Sequence, residues 1–259
     1  MISNSASHRH AGELGTTQPP RTHLPATPVS ITGKYVTLEQ ITPEHIPLLF
    51  EGLGLPQNNH LFDYVGGFPY INNAEELSNH IFGSLRDNPS LTIYAIKTCP
   101  SHLGPPSAPG IHPHTSVLGI MGYRLDPKTG TIKHDDHISS LVLQRTYAAT
   151  EAIYLLFCHL WEGQTMAYSR VWMVCNALNV QSRHHAERLG YLYEGTFRKD
   201  KITRNGTRRD TDCLSMLDEE WPPFKRAMQS WLLLTNFDAD GRQIKSLQAL
   251  RALQTRCSL

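Results

Sequence analysis

The feature that most constrains this chain is an apolar stripe of helical period within residues 148–163. Ala149, Ala152, Ile153, Leu156, Phe157 and Leu160 fall at the i, i+3, i+4, i+7, i+8 and i+11 positions of one helix face. Leu155 and Trp161 widen the stripe, so this helix must be covered over most of its circumference. The segments beside it read as strands, one within residues 131–143 and one over 170–175. A largely buried helix between two strands needs a sheet to pack on, and that makes the chain an α/β protein.

The remaining segments supply the sheet and its other cover. Residues 35–39 alternate as a strand. Thr42-Pro43-Glu44 opens a helix, with Thr42 as N-cap, Pro43 in the first helical position, and Ile46, Leu49, Phe50 and Leu53 as the apolar side. A second helix is expected over 73–86 and strands over 91–97 and 117–125. A short helix over 179–189 has Asn179 as N-cap and Gly190 at its end. Two strands, 195–203 and 207–217, join through Asn205-Gly206, a hairpin signal. Residues 54–70 are loop-rich, and the proline-rich stretch 99–115 reads as a long irregular insertion. The predicted order is β-α-α-β-β-β-α-β-α-β-β.

Three parts follow from composition. Residues 1–30, rich in Ser, Thr, His and Pro without apolar period, are expected to be disordered. Residues 31–222 form one domain, and 223–259 a C-terminal helical extension. A formal net charge of +1 over 259 residues gives no global pull toward nucleic acid or an acidic membrane surface. The apolar runs around 152–161 and 231–234 are too short to span a bilayer. Five cysteines without a CxxC pair, and no basic-then-apolar leader, point to a reduced cytoplasmic compartment.

Two local patterns carry chemistry. The first is Leu143-Gln144-Arg145-Thr146-Tyr147-Ala148-Ala149-Thr150-Glu151-Ala152, where a strand gives way to the buried helix. The second is Asn176-Ala177-Leu178-Asn179-Val180-Gln181-Ser182, followed by Ala186-Glu187-Arg188-Leu189-Gly190-Tyr191 and Glu194-Gly195. Together they resemble the GNAT acyltransferases, in particular the RimJ/RimL-like branch. The run Arg209-Asp210-Thr211, Ser215-Met216-Leu217-Asp218 and Glu220-Trp221-Pro222 is similar to fungal members of that branch. The resemblance covers roughly residues 34–222. It implies a GNAT fold, that is, a mixed, mostly antiparallel twisted sheet with helices on both faces.

The resemblance also implies acetyl-CoA as co-substrate, with no metal. A pyrophosphate needs clustered donors, and a helix N-terminus supplies free N–H groups and the positive end of a dipole. The coenzyme contacts implied are Leu143, Gln144, Tyr147, Ala148, Ala149, Thr150 and, beside the pantetheine arm, Asn179. Tyr147 stands where the family usually has glycine. Its ring either crowds the phosphates or folds outward and leaves the N–H groups usable. Ser182 is the implied proton donor to the departing thiolate. From the residues alone, Asn179 is an N-cap and Ser182 a first-turn polar residue, and both readings stand.

Aminolysis of a thioester needs a neutral amine. In the family a glutamate on the strand before the phosphate loop accepts the proton, and counting back places Lys133 at that position. Its neighbours are His134-Asp135-Asp136-His137. Strand alternation puts His134 and Asp136 on one face and Asp135 and His137 on the other. His134 with Asp136 is therefore the candidate proton acceptor and its orienting carboxylate, against a solvated strand end. A metal held by His134 and Asp136 lacks a third ligand marked by spacing. Lys199, Lys201, Arg204, Arg208 and Arg209 read as a hairpin with solvated charges. The expected activity is acetyl transfer from acetyl-CoA to an amine of a small molecule or a peptide N-terminus. The alternatives are CoA-independent acid–base chemistry on a metabolite of a biosynthetic pathway (cyclisation, isomerisation or dehydration) and a non-catalytic binding module.

Overall fold

The computed structural model describes residues 27–65, 68–98, 117–162, 168–238 and 242–256. The expectations for residues 1–26 and for the 99–115 insertion lie outside these. One sheet of eight strands runs in the order β1-β2-β3-β4-β5-β6-β8-β7. Its strands are β1 (Ser30–Thr32), β2 (Val36–Gln40), β3 (Leu91–Thr98), β4 (Val117–Asp126), β5 (Thr131–Ser139), β6 (Arg170–Asn176), β7 (Leu192–Ile202) and β8 (Arg208–Leu217). All neighbours are antiparallel except β5 and β6, which are parallel.

Helices cover both faces. On one face, α1 (His45–Leu53) and α2 (Ala74–Asp87) bury Ile46, Leu49, Leu77 and Ile81 in one cluster with Ile93, Ile120 and Ile138. On the other lies α3 (Tyr147–Glu162), the stripe helix, whose Ile153, Leu156 and Phe157 share a core with Leu38, Tyr94, Tyr123, Val171 and Leu214. Each such side chain contributes about 1.5–3 kcal/mol when fully buried. The short α4 (Val180–Arg188) follows β6. Then α5 (Trp221–Trp231) and α6 (Leu247–Arg256) pack on each other, with Phe224, Trp231, Leu247 and Leu250 joining the α3 core. The C-terminal extension thus belongs to the same packed unit.

Two expectations are corrected. The first strand is expected at residues 35–39, but residues 30–32 already pair with β2 as an edge strand. Thr42 does not cap α1, which starts at His45 with Glu44 at the cap position. The Thr42 hydroxyl instead meets Nδ1 of His45 at 3.0 Å.

The β1–β2 turn is held from across the sheet. Glu151, on α3 and only 6% exposed, accepts three backbone N–H bonds: from Lys34 at 2.9 Å, Tyr35 at 2.5 Å and Val36 at 2.9 Å. A buried carboxylate is tolerable here because its charge is spread over three donors. Gly33 is required beside it, since a Cβ there would stand 2.7 Å from the carboxylate and 2.8 Å from Leu155.

Glu151→Ala leaves three backbone donors without their acceptor and is expected to cost at least about 3 kcal/mol in urea unfolding. Gly33→Ala is expected to destabilise by displacing the same carboxylate. A loss below about 0.5 kcal/mol for Glu151→Ala would show that the turn does not depend on it.

Candidate active site

The sheet forks at its one parallel contact. β5 and β6 pair through only three residues, Thr131 with Arg170, Ile132 with Val171 and Lys133 with Trp172. Beyond these, Asp135–Ser139 and Met173–Asn176 run apart. A gap between strands exposes backbone donors and acceptors of both edges, which is where a ligand can pair with a sheet.

A β-bulge reshapes the β5 side of the fork. The β4–β5 register moves from Ile120 opposite Ile138 to Gly122 opposite Asp135, so Asp136 and His137 together face Met121. Asp136 takes φ 45°, in the left-handed region that is strained for a non-glycine residue. The bulge breaks the simple alternation, and the expected His134–Asp136 pair is not formed. His134 and His137 share a face instead, their rings stacked at 5.4 Å. His137 in turn lies 5.6 Å from the ring of His185 on α4. Nδ1 of His134 meets the Tyr191 hydroxyl at 3.1 Å, and its ring abuts Phe157. Burial, then the nearby His185, pushes His134 down to about 4. Burial also pushes His137 well down, and burial plus Arg188 take His185 to about 4. His134 is therefore a neutral histidine of the α3 core.

Asp136 is the group left at the fork. Burial, reinforced by the neighbouring Asp135 and opposed by Lys133 and Arg124, raises its carboxyl to about 6. Asp135 is engaged elsewhere, bonded to Lys133 at 2.9 Å and to Arg124 at 3.1 Å. Lys133, where the resemblance implies a glutamate, sits 5.9 Å over the Trp172 ring on the α1–α2 face.

The strand-to-helix junction leaves two backbone donors unpaired among the described residues. After β5 the chain turns through Ser140, whose carbonyl accepts the N–H groups of Leu143 and Gln144. Arg145, at φ 63°, reverses it into α3. The N–H groups of Arg145 and Ala148 find no acceptor among the described residues, while that of Ala149 is taken by the Thr146 hydroxyl at 3.1 Å. The Tyr147 ring is taken up in aromatic packing between Tyr35 at 4.5 Å and Phe237 at 5.9 Å. Gln144 is exposed, and its side-chain amide donates to the Ser139 carbonyl. Leu143 is fully buried.

α4 presents its polar stripe to this junction. Asn179 caps the helix, its Oδ1 accepting from the Ser182 N–H at 3.1 Å. The Ser182 hydroxyl lies beside the Cys175 thiol. Three and six residues on come His185, whose Nε2 is buried without a partner, and Arg188, which donates to Thr150 Oγ1 at 3.3 Å and covers the Trp231 ring. Neither His185 nor Arg188 was singled out from sequence. Their three-residue spacing from Ser182 is the signal that could have found them. Among the described residues, no group of three His, Cys, Asp or Glu could hold a metal ion.

No protein-family model and no curated protein matches this sequence. Solved structures do. A GCN5-related N-acetyltransferase from Brucella melitensis is similar at a TM-score of 0.75 and 27% identity, over 92% of this chain and 99% of its own. RimL, the ribosomal L7/L12 alpha-N-protein acetyltransferase, shares the fold at a TM-score of 0.58 and 16% identity, over 78% and 99%. So does the microcin C7 self-immunity acetyltransferase MccE, solved with acetyl-CoA and AMP, at a TM-score of 0.56 and 19% identity, over 73% and 99%. The forked eight-stranded sheet with helices on both faces is thus the GNAT fold, and the structural neighbours of this chain are acetyltransferases of that superfamily.

Proposed function

We propose that this protein transfers an acetyl group from acetyl-CoA to the amine of a small molecule or a peptide N-terminus, with Asp136 as the proton acceptor. The observation that carries the reading is Asp136 itself: a strained carboxylate on the bulge at the fork, raised to about 6 by burial and by Asp135. A base with that affinity is ionised at neutral pH and still takes a proton readily. The amine attacks the thioester carbonyl, an N–C bond forms as the C–S bond breaks, Asp136 takes the ammonium proton, and the thiolate leaves to be protonated.

The donor half of the cleft fits acetyl-CoA. The first turn of α3, with the unpaired N–H groups of Arg145 and Ala148 and with Gln144, Ala149 and Thr150 beside them, would face the pyrophosphate, and Arg188 adds a positive charge next to Thr150. The Tyr147 ring packs with Tyr35 and Phe237, so the departure from glycine is accommodated by aromatic packing. Asn179 and Ser182, at the start of α4, would flank the pantetheine arm. The unpartnered Nε2 of His185 on the same stripe is a second donor toward the thiolate. An α-amine with pKa near 8 is about 10% neutral at pH 7, and a lysine near 10.4 only about 0.04%, so weakly basic amines suit one modest base best. The reading without CoA needed His134 and Asp136 acting together, and the bulge separates them. The free thiols of Cys158, Cys175 and Cys213 fit a cytoplasmic setting.

Asp136→Asn is expected to lower kcat/KM about 10²–10⁴-fold while leaving acetyl-CoA affinity in place. The same change should stabilise the fold at neutral pH. A carboxyl that binds its proton more tightly folded than unfolded loses stability as pH rises from its ordinary 3.8 to about 6. The removed penalty is about 1–3 kcal/mol at pH 7. Parental turnover should rise with pH through about 6 and then level. A variant with full turnover, or one less stable at pH 7, would remove Asp136 from this role. Separately, 1 mM acetyl-CoA should raise the melting temperature, since a Kd near 10 μM gives about 2.7 kcal/mol. No shift, with no heat in a calorimetric titration, would sink the acetyltransferase reading.

A further inference from the structure

Beyond the end of β6 the sheet holds a largely buried cation, the Arg209 guanidinium, that bonds no described residue. Arg209, at the start of β8, is 7% exposed. Its Nε is buried without a hydrogen-bond partner among the described residues, and its terminal nitrogens, which are not fully buried, bond none of them either. Every other arginine buried nearly as deeply here is paired: Arg188 bonds Thr150, and Arg251 bonds the Glu187 carbonyl. Burial depresses the Arg209 pKa, with Cys175 and Asp200 only partly opposing it. A largely buried charge without a partner is costly, and such departures fall mainly where something is to be bound.

The surroundings of Arg209 offer further donors. Thr211 lies two residues on and therefore on the same face of β8. Its Oγ1 is also buried without a partner. Asn176, opposite Thr211 on β6, is buried, its Oδ1 accepts the Leu178 N–H, and its amide nitrogen donates to no described residue. Arg209, Thr211 and Asn176 thus form a row of donors that bond no described residue, with Nε of Arg209 and Oγ1 of Thr211 fully buried. The row continues the face that carries Cys213, Ser215 and Trp172, because Trp172 pairs with Ser215 and Asn176 with Thr211. Trp172 lies under Lys133 on the α1–α2 face, opposite the α3–α4 side assigned to the coenzyme. The hairpin tip beyond Arg209 reaches the α1–α2 connection, where Arg204 bonds the Phe68 carbonyl and stacks 3.9 Å over Tyr70.

We propose that Arg209, with Thr211 and Asn176, binds an anionic group of the acetyl acceptor, a carboxylate or a phosphate, lying several bonds from its reactive amine. The spacing sets that separation. Lys133 is level with Trp172, so across the bulge Asp136 is about level with Val174, which pairs with Cys213. Arg209 is four residues further along β8, roughly 13 Å at 3.3 Å per residue, and two strands away. Even with the reach of the arginine, an α-amino acid's own carboxylate is too close to its amine. A short peptide or an amino-terminated phosphate spans the gap. The inference rests on the acetyltransferase reading for the identity of the bound molecule as acceptor, and on the donor row alone for its charge.

The test compares the full chain with Arg209→Met and Arg209→Lys. The probes are triglycine, 4-aminobutyl phosphate and the neutral triglycinamide. Without ligand, Arg209→Met should melt at or above the parent, because a buried unpaired charge is gone. The parent should be stabilised by several degrees by triglycine or the phosphate and not by triglycinamide; which of the two acts identifies the anion. That shift should vanish in Arg209→Met and survive in part in Arg209→Lys. With saturating acetyl-CoA, the KM preference for the anionic probe over triglycinamide should fall at least tenfold in Arg209→Met, with kcat for the anionic probe within about threefold. A strong loss of stability in Arg209→Met without ligand, equal parental shifts with anionic and neutral probes, or a parent that no anionic probe stabilises would each overturn the proposal. An anion-dependent shift without acetyl transfer would leave the anion site standing and remove the acetyltransferase reading instead.

Discussion

Among the described residues β5 and β6 are the only parallel neighbours in the sheet, and their pairing ends at Lys133 and Trp172. Much of the site follows from that short contact. Parallel strands need a crossover, and here it is α3, packed across the sheet with its first turn at the open end of the fork. The bulge at Asp136 keeps β5 paired with β4 on one side while its other edge is released from β6. A longer pairing would close the cleft. A shorter one would leave Ile132 and Val171, both buried to 1% or less, without their alignment in the core.

How much of this is visible in sequence depends on whether a feature is local. The stripe helix, the Asn179 cap and the hairpin through Asn205-Gly206 rest on spacing and turn chemistry, and the structure has each within a few residues of its expected bounds. β1 left no trace because a three-residue edge strand, largely exposed, has neither apolar period nor length. Alternation through His134–His137 failed because a bulge inserts one residue into one strand, and nothing in that run of four polar residues marks where. Arg209 was grouped with the solvated hairpin charges for a similar reason. Arg208 beside it is exposed, and only the pairing of β8 with its neighbours separates the two.

Four charged residues with little access to solvent divide stability from function. Glu151 is satisfied by three backbone donors and holds the β1–β2 turn. Asp212, 2% exposed, accepts from Arg183 and Thr196 and ties α4 to the hairpin. Both are complete within the fold, so their carboxylates stabilise it. Arg209 is equally buried and incomplete, and Asp136 at the fork is strained and poorly solvated. Proteins depart from local satisfaction mainly where something else is to be bound or transformed. The two departures here fall at the fork and beyond the end of β6.

The same contrast explains why the histidines do not form a catalytic dyad. A dyad needs one imidazole that can gain a proton and a carboxylate placed to orient it. His134, His137 and His185 are each held below their ordinary value by burial, and their nearest ionisable neighbours are largely one another. Charging one raises the cost of charging the next, so the stack stays neutral and acts as polar packing between β5 and α4. The environment of Asp136, the proposed proton acceptor, shifts it the opposite way. Burial acts on both, but it disfavours a cation in one case and an anion in the other. At neutral pH the histidines are therefore spent as bases in the core while the carboxylate remains available at the fork.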